Sequence, residues 1–87
     1  MVWTIRIDAG ARKQLCKLGK APAARIVAGL EQIGALDDPR QRGKPLTGDW
    51  AGHWRYRFGD YRVIGRIEDG QLVIVVVAVG HRREVYE

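Results

Sequence analysis

Val73-Ile74-Val75-Val76-Val77-Ala78-Val79 is apolar at every position, and it limits the fold more than any other stretch of the chain. Successive side chains of a strand point to opposite faces. A strand apolar on both faces belongs in the interior of a sheet, with a neighbour along each edge. One neighbour follows from Asp69-Gly70, a hairpin signal joining strand Tyr61 to Glu68 with a last strand over Gln71 to Val79. The other can only be the N-terminal segment Val2 to Ile7, where Trp3, Ile5 and Ile7 alternate with Val2, Thr4 and Arg6. His53 to Phe58 joins the third strand through Gly59-Asp60. The expected sheet therefore has four strands in the order 2-3-4-1, the last three forming an antiparallel meander.

Two helices separate the first strand from the rest. Asp8 suits an N-cap, and Ala9 to Leu18 places Ala11, Leu15 and Leu18 on one stripe, away from Arg12, Lys13 and Lys17. Gly19 is a natural stop. Pro22 fits the first turn of a second helix, which runs to about Leu36 with the stripe Ala23, Ile26, Val27, Leu30, Ile33. Asp37-Asp38-Pro39 ends it. Residues 38–52 read as an irregular loop, charged by Arg40, Arg42 and Lys44, with Leu46 and Trp50 pinning it to the core. The fold class is α+β: a strand, a two-helix hairpin, then three strands, with both helices on one face of the sheet and one domain spanning 1–87.

That architecture leaves one face bare. Trp54-Arg55-Tyr56-Arg57-Phe58 alternates aromatic and arginine, and Tyr61-Arg62-Val63-Ile64-Gly65-Arg66-Ile67 follows the turn. A two-residue loop at Gly59-Asp60 sets Phe58 opposite Tyr61 and Arg57 opposite Arg62. The helices should cover Trp54, Tyr56, Val63 and Ile67. Arg55, Arg57, Arg62 and, near the far end of its strand, Arg66 are then left on the bare face. Like charges directly opposite each other destabilise a sheet, so a chain that keeps such a pair is expected to hold an anion there. Phosphate, and hence nucleic acid, is the natural candidate.

The bulk properties agree. Fifteen Lys and Arg against ten Asp and Glu give a net charge of +5, which favours anionic partners. The sequence is 46% hydrophobic and 29% charged, the composition of a folded chain. Cys16 is the only cysteine, so no intrachain disulfide forms. One cysteine and two scattered histidines offer no zinc spacing, serine is absent, and no phosphate-binding glycine loop occurs. No cofactor or metal is expected. Charge interrupts the N-terminal apolar run at once, unlike a signal peptide. The apolar run Leu72 to Val79 is far shorter than the roughly 20 residues that span a bilayer. A cytoplasmic protein without membrane contact is the expectation.

The element order, together with Trp54-Arg55-Tyr56-Arg57, Gly59-Asp60-Tyr61-Arg62 and the ending Val79-Gly80-His81-Arg82-Arg83-Glu84-Val85-Tyr86, resembles the RelE family of bacterial toxins over essentially the whole chain. The resemblance implies the toxin of a type II toxin–antitoxin pair, which enters the ribosomal A site and cuts mRNA there without a metal. The RNA's own 2′-hydroxyl attacks the adjacent phosphodiester and leaves a 2′,3′-cyclic phosphate. A cognate, RelB-like antitoxin is implied, which blocks the toxin and carries the operator-DNA binding of the complex. Arg55 and Arg57 match two basic positions that act on the phosphate or the 2′-hydroxyl. Arg62 and Arg82 match phosphate-stabilising arginines, and Tyr86 matches a tyrosine that stacks on or orients the scissile nucleotide. The second-strand pair is lysine in the best-known member. Arginine, unlike lysine, stays protonated and is a poor proton acceptor.

Cleavage of this kind needs a base for the 2′-hydroxyl, positive groups around the phosphorane, and a proton for the leaving 5′-oxygen. Arginine forks supply the second requirement. His81 lies close to the cluster, and histidine is a residue type suited to proton transfer near neutrality; it either takes over part of the acid–base work or is a surface residue at a strand end. Arg66, Arg83 and Lys44 are expected RNA contacts, Arg83 pairing alternatively with Glu84. Ribosomal RNA phosphates are further expected partners of the basic groups. The rival reading is a ParE-like toxin that poisons DNA gyrase and cuts no RNA; a third is a relative that binds RNA but does not cleave it.

Overall fold

In the computed structural model, residues 2–81 are described. Asp8 joins the first strand, β1 (Thr4–Ile7), directly to the first helix, α1 (Ala9–Lys17). Its backbone N–H continues the ladder to Val76 O at 3.0 Å. Its carboxylate accepts from Ala11 N at 2.8 Å, satisfying one of the donors that a helix start leaves open. Gly19 separates α1 from α2 (Lys20–Gly34). A short edge strand β2 (Lys44–Pro45) precedes β3 (Trp54–Phe58), β4 (Tyr61–Glu68) and β5 (Val73–His81).

The sheet order is β1-β5-β4-β3-β2. β5 is interior, as its apolar run requires, pairing parallel with β1 and antiparallel with β4. The expected order of the four long strands holds, and β2 is the addition: five strands, not four. Two residues, one of them a proline with no N–H to donate, carry no strand signature in a sequence.

Both helices pack on one face, α1 over β5 and α2 over β1 and β3. Between the layers lie Trp3, Ala11, Leu15, Ile26, Leu30, Ile33, Tyr56, Phe58, Val63, Ile74, Val76 and Val79, all buried. Trp3 fastens β1 to the end of α2 by donating its backbone N–H to Gly34 O (2.7 Å) and its indole N–H to Asp37 O (3.3 Å). Where β1 stops, Gln14 of α1 accepts the N–H of Val79 through Oε1 at 2.9 Å, so the bare edge of β5 is partly satisfied.

Three expectations need correction, and one irregularity has no counterpart in the sequence reading. Val27 belongs to the apolar stripe by spacing, yet it is 37% exposed. It overhangs β1, the edge of the described sheet, above a groove lined by Ile5 and Ile7. Leu46 and Trp50 are only half-buried and are not the main pins of the 38–52 loop. Pro39 is the fully buried anchor, its carbonyl accepting from the Tyr56 hydroxyl at 2.9 Å, and Arg42 O accepts from the Trp54 indole at 2.7 Å. The β4–β5 turn is not a two-residue Asp69-Gly70 loop. Glu68 pairs with Val73 across residues 69–72, with Leu72 left-handed at φ 54. Finally, β5 carries a bulge: Ile64 pairs with Ala78 but Gly65 pairs with Val76, leaving Val77 as the extra residue.

Candidate nucleic-acid interface

The geometry of this face starts from the turn between β3 and β4. Gly59 takes φ 63, a left-handed conformation that suits glycine. The two-residue loop then sets the register Phe58↔Tyr61, Arg57↔Arg62, Tyr56↔Val63, Arg55↔Ile64. Directly opposed residues share a face, so Tyr56, Phe58 and Val63 enter the core while Arg55, Arg57 and Arg62 leave on the other side, as the alternation requires. Cα atoms of such a pair are about 5 Å apart. Arg57 and Arg62 are therefore held side by side by the backbone, independent of any choice of rotamer.

The register extends the row in both directions. Lys44 pairs with Arg55 across β2–β3. Gly43 makes this approach possible: its φ is 77, and a Cβ there would stand 2.3 Å from Arg55 O. Arg62 pairs on its other side with Gly80, which offers no side chain to crowd it. Arg66 pairs with Val75, and so does Arg6 of β1. One face thus carries Lys44, Arg55, Arg57, Arg62, Arg66 and Arg6. Arg6 was missed because its alternation with Ile5 and Ile7 identifies only a solvent face. The parallel register with β5 is what shows that this face is the arginine face.

Carboxylates are scarce here. Among the described residues, Arg66 donates to Glu68 with Nε–Oε1 at 2.5 Å, which partly neutralises it. No ion pair is formed among the described residues by Lys44, Arg55 or Arg57. Arg57 is exposed; Arg55 and Arg62 are half-buried. The middle of this face is apolar: Ile64 is fully buried and Val75, Val77 and Ala78 are half-buried. Cations around an apolar floor can hold phosphates at the rim and pack sugars or bases over the middle.

His81 ends β5 opposite Tyr61, and the two rings meet edge to face with centroids 5.9 Å apart. Tyr61 shares its face with Val63, so His81 points to the helix side and not among the arginines. It stands one residue beyond Gly80, at the rim where the two faces meet. Arg82, Arg83 and Tyr86 lie outside the described residues.

Tyr56 is no candidate proton acceptor. Burial pushes its hydroxyl up to about 12, so it stays neutral and serves as a strut to Pro39. The loop it supports is also tied by Arg40, which donates to both carboxylate oxygens of Asp69 at 2.9 and 2.7 Å. That hydrogen bond holds the Asp69 carboxyl below the usual carboxylate range. Among the described residues no cluster of His, Cys, Asp and Glu is arranged to hold a metal ion, and no helix is long and apolar enough to cross a membrane.

Known proteins share this architecture. The profile described as ParE toxin of type II toxin–antitoxin system, parDE, matches residues 5–86. The chain is 35% identical to Toxin RelG of Mycobacterium tuberculosis, over 99% of this chain and 98% of that protein. It is 34% identical to Toxin RelE of the same organism, over 94% and 84%. The crystal structure of the toxin–antitoxin complex RelBE2 from Mycobacterium tuberculosis contains a chain that superposes with a TM-score of 0.73 at 33% identity, covering 97% of this chain and 95% of that one. Fold, sequence and profile agree: the chain is a toxin of the RelE/ParE superfamily of type II toxin–antitoxin systems.

Proposed function

We propose that this toxin is a ribosome-dependent mRNA endoribonuclease of the RelE type, and that the open face of the sheet is where it holds the scissile linkage. The observation that carries this reading is the Arg57–Arg62 pair, fixed opposite each other by a two-residue turn on the face away from both described helices. Two guanidinium groups held side by side attract anions, and their planar forks match phosphate oxygens.

In this reading the 2′-oxygen attacks phosphorus and the P–O5′ bond breaks. A 2′,3′-cyclic phosphate forms and the 5′-oxygen leaves with a proton. Arg55, Arg57 and Arg62 hold the charge that builds on the phosphorane, with Arg82 added from beyond the described residues. Arginine does not exchange protons near neutrality, so the transfer needs another group; His81, at the end of β5, takes that role only by turning from Tyr61 toward the arginine face. Tyr86 orients the scissile nucleotide, and Lys44, Arg66 and Arg83 contact flanking phosphates. The partners in this reading are A-site mRNA, ribosomal RNA and a cognate antitoxin. RelBE2, a relative, is a toxin–antitoxin complex. An acidic antitoxin segment would neutralise this same face, and the pair would reach operator DNA through the antitoxin.

The test is primer extension on a translated message with purified toxin. Cuts that need both ribosomes and Arg62, and that end in a cyclic phosphate, are the expected result. Intact messages accompanied by trapped gyrase–DNA breaks would replace this reading with the gyrase one. A His81→Gln variant with an unchanged rate and pH profile would remove His81 from the proton transfer.

A further inference from the structure

Cations occupy both ends of the arginine face. Arg62 and Arg66 share that face on β4, four residues and so about 13 Å apart. Val75 of β5 pairs with Arg66 on one side and with Arg6 of β1 on the other. Arg6 and Arg66 therefore stand in one rung of the sheet, with Cα atoms two strand spacings, or about 10 Å, apart. Val75 between them is half-buried, both arginines are exposed, and their side chains are long enough to close over it. Among the described residues Arg6 forms no ion pair. Arg66 donates through Nε to Glu68 Oε1, which uses one of the five donors on its guanidinium. Those two side chains are 49% and 39% exposed, so water screens the pair and it contributes little. One carboxylate against two arginines leaves the rung positive.

We propose that Arg6 and Arg66 form a second phosphate clamp for the same RNA strand, which then runs along β4 and β5 from Arg57–Arg62 to Arg6–Arg66. The spacing of the two ends sets the partner. One phosphodiester cannot occupy both, so the ligand is a polymer with more than one charge. Ile64 and Ala78 pair with each other between the two ends, and Val75 lies between the two arginines of the clamp. This apolar ground suits sugars and bases whose phosphates are held at either end. A strand crossing the sheet toward Lys44 and Arg55 instead would leave Arg6 out of reach. The role of Arg6 is positioning: it holds a phosphate away from the scissile one and so fixes the direction in which the message lies. The inference rests on the RNA reading above, but its test needs no cleavage.

Oligothymidylates lack the attacking 2′-hydroxyl, so they bind without being cut. Chains of two and of six nucleotides are titrated into the intact toxin by fluorescence anisotropy over a salt series that starts low. Each phosphate contact to a single strand adds about 0.7 to the slope of log affinity against log salt. Arg6→Gln should lower the slope for the hexanucleotide by about that amount and leave the dinucleotide, which reaches only one end, unchanged. Arg6→Lys keeps the charge and should keep the wild-type slope. Lys17→Gln removes the same charge from α1, on the other side of the sheet, and should keep it too. An unchanged hexanucleotide slope in Arg6→Gln, an equal loss with the dinucleotide, or an equal loss in Lys17→Gln would overturn the clamp. A hexaglutamate peptide with the same dependence on Arg6 would overturn it in favour of an acidic protein segment. Cleavage of translated messages separates this inference from the nuclease reading. A wild type that cuts nothing, yet loses slope in Arg6→Gln, keeps the clamp and sinks the nuclease. A wild type that cuts, with no slope change in Arg6→Gln, keeps the nuclease and sinks the clamp.

Discussion

On the helix-bearing side of the sheet, Tyr56, Phe58, Val63, Ile74 and Val76 are buried against Ile26, Leu30 and Ile33. On the opposite side the same strands present Arg55, Arg57, Arg62 and Arg66, and their partners across the register are isoleucine, another arginine, glycine and valine. One face is optimised for packing; the other keeps unfavourable neighbours together. On the proposed function, the contrast makes stability and activity separable by the parity of residue number along a strand. Substitution on even positions of β3 should unfold the protein, and substitution on odd positions should disarm it.

Phe58→Ala should show the largest effect on the packed side. Phe58 is 8% exposed within the main core, and truncating a buried phenylalanine costs about 3–5 kcal/mol. In a small domain that is a large share of the total stability, so urea denaturation should show a midpoint collapsed toward zero denaturant. A loss below roughly 1 kcal/mol would mean that the helices do not seal this face.

Arg57→Ala should do the reverse. Losing one well-aimed charge donor costs about 2.7–4 kcal/mol at the transition state, or roughly a hundred- to a thousandfold in cleavage rate. Its folding stability should hold or rise slightly, by less than about 1 kcal/mol, because a like-charged cross-strand pair is relieved. Rate and stability falling together would break the separation of the two faces.

How much of this contrast is legible in the sequence depends on the turns. Gly59-Asp60 defines both the loop length and the register, so the Arg57–Arg62 pair follows from alternation alone. Asp69-Gly70 carries the same kind of signal, but the chain spends two more residues there, Leu72 turning left-handed before Val73 pairs with Glu68. A shift of two preserves which face each side chain occupies, so the faces come out correctly even though the loop does not. The bulge at Val77 leaves no trace, because consecutive valines have no alternation for a slip to disturb. β2 and Arg6 depend on partners distant in sequence, and Val27 on where the sheet ends.

The packed face also makes a pH prediction. Burial raises the Tyr56 hydroxyl to about 12 in the folded state, above the ordinary value near 10. A raised value favours the protonated form, so its contribution to stability is complete below pH ~10 and is lost as pH climbs through 10 toward 12. Linkage puts that loss at roughly 2–3 kcal/mol for a two-unit shift. Phenolate absorbance should show one tyrosine ionising late, and Tyr56→Phe should delete that step. A Tyr56 that titrates with an ordinary value would mean that the hydroxyl to Pro39 is open to water.

The smallest effect should come from Arg40→Gln, which connects the two faces. Arg40 bridges the 38–52 loop to Asp69 in the β4–β5 turn, with Asp69 well exposed and Arg40 partly so. Water and salt screen such a pair, so global stability should barely move. The sign is still testable. Asp69 has its carboxyl held low by Arg40, so the pair contributes above the ordinary carboxylate range and fades as pH falls through the folded value. Wild type and variant should therefore converge in acid and in high salt. The local consequence matters more than the global one, because this loop carries Lys44 to its place beside Arg55. Arg40→Gln should speed amide exchange at Leu46, whose N–H is bonded to His53 O at 3.0 Å, and should lower cleavage modestly. Faster exchange without any change in cleavage would show that Lys44 is not part of the working surface, and the active row would then begin at Arg55.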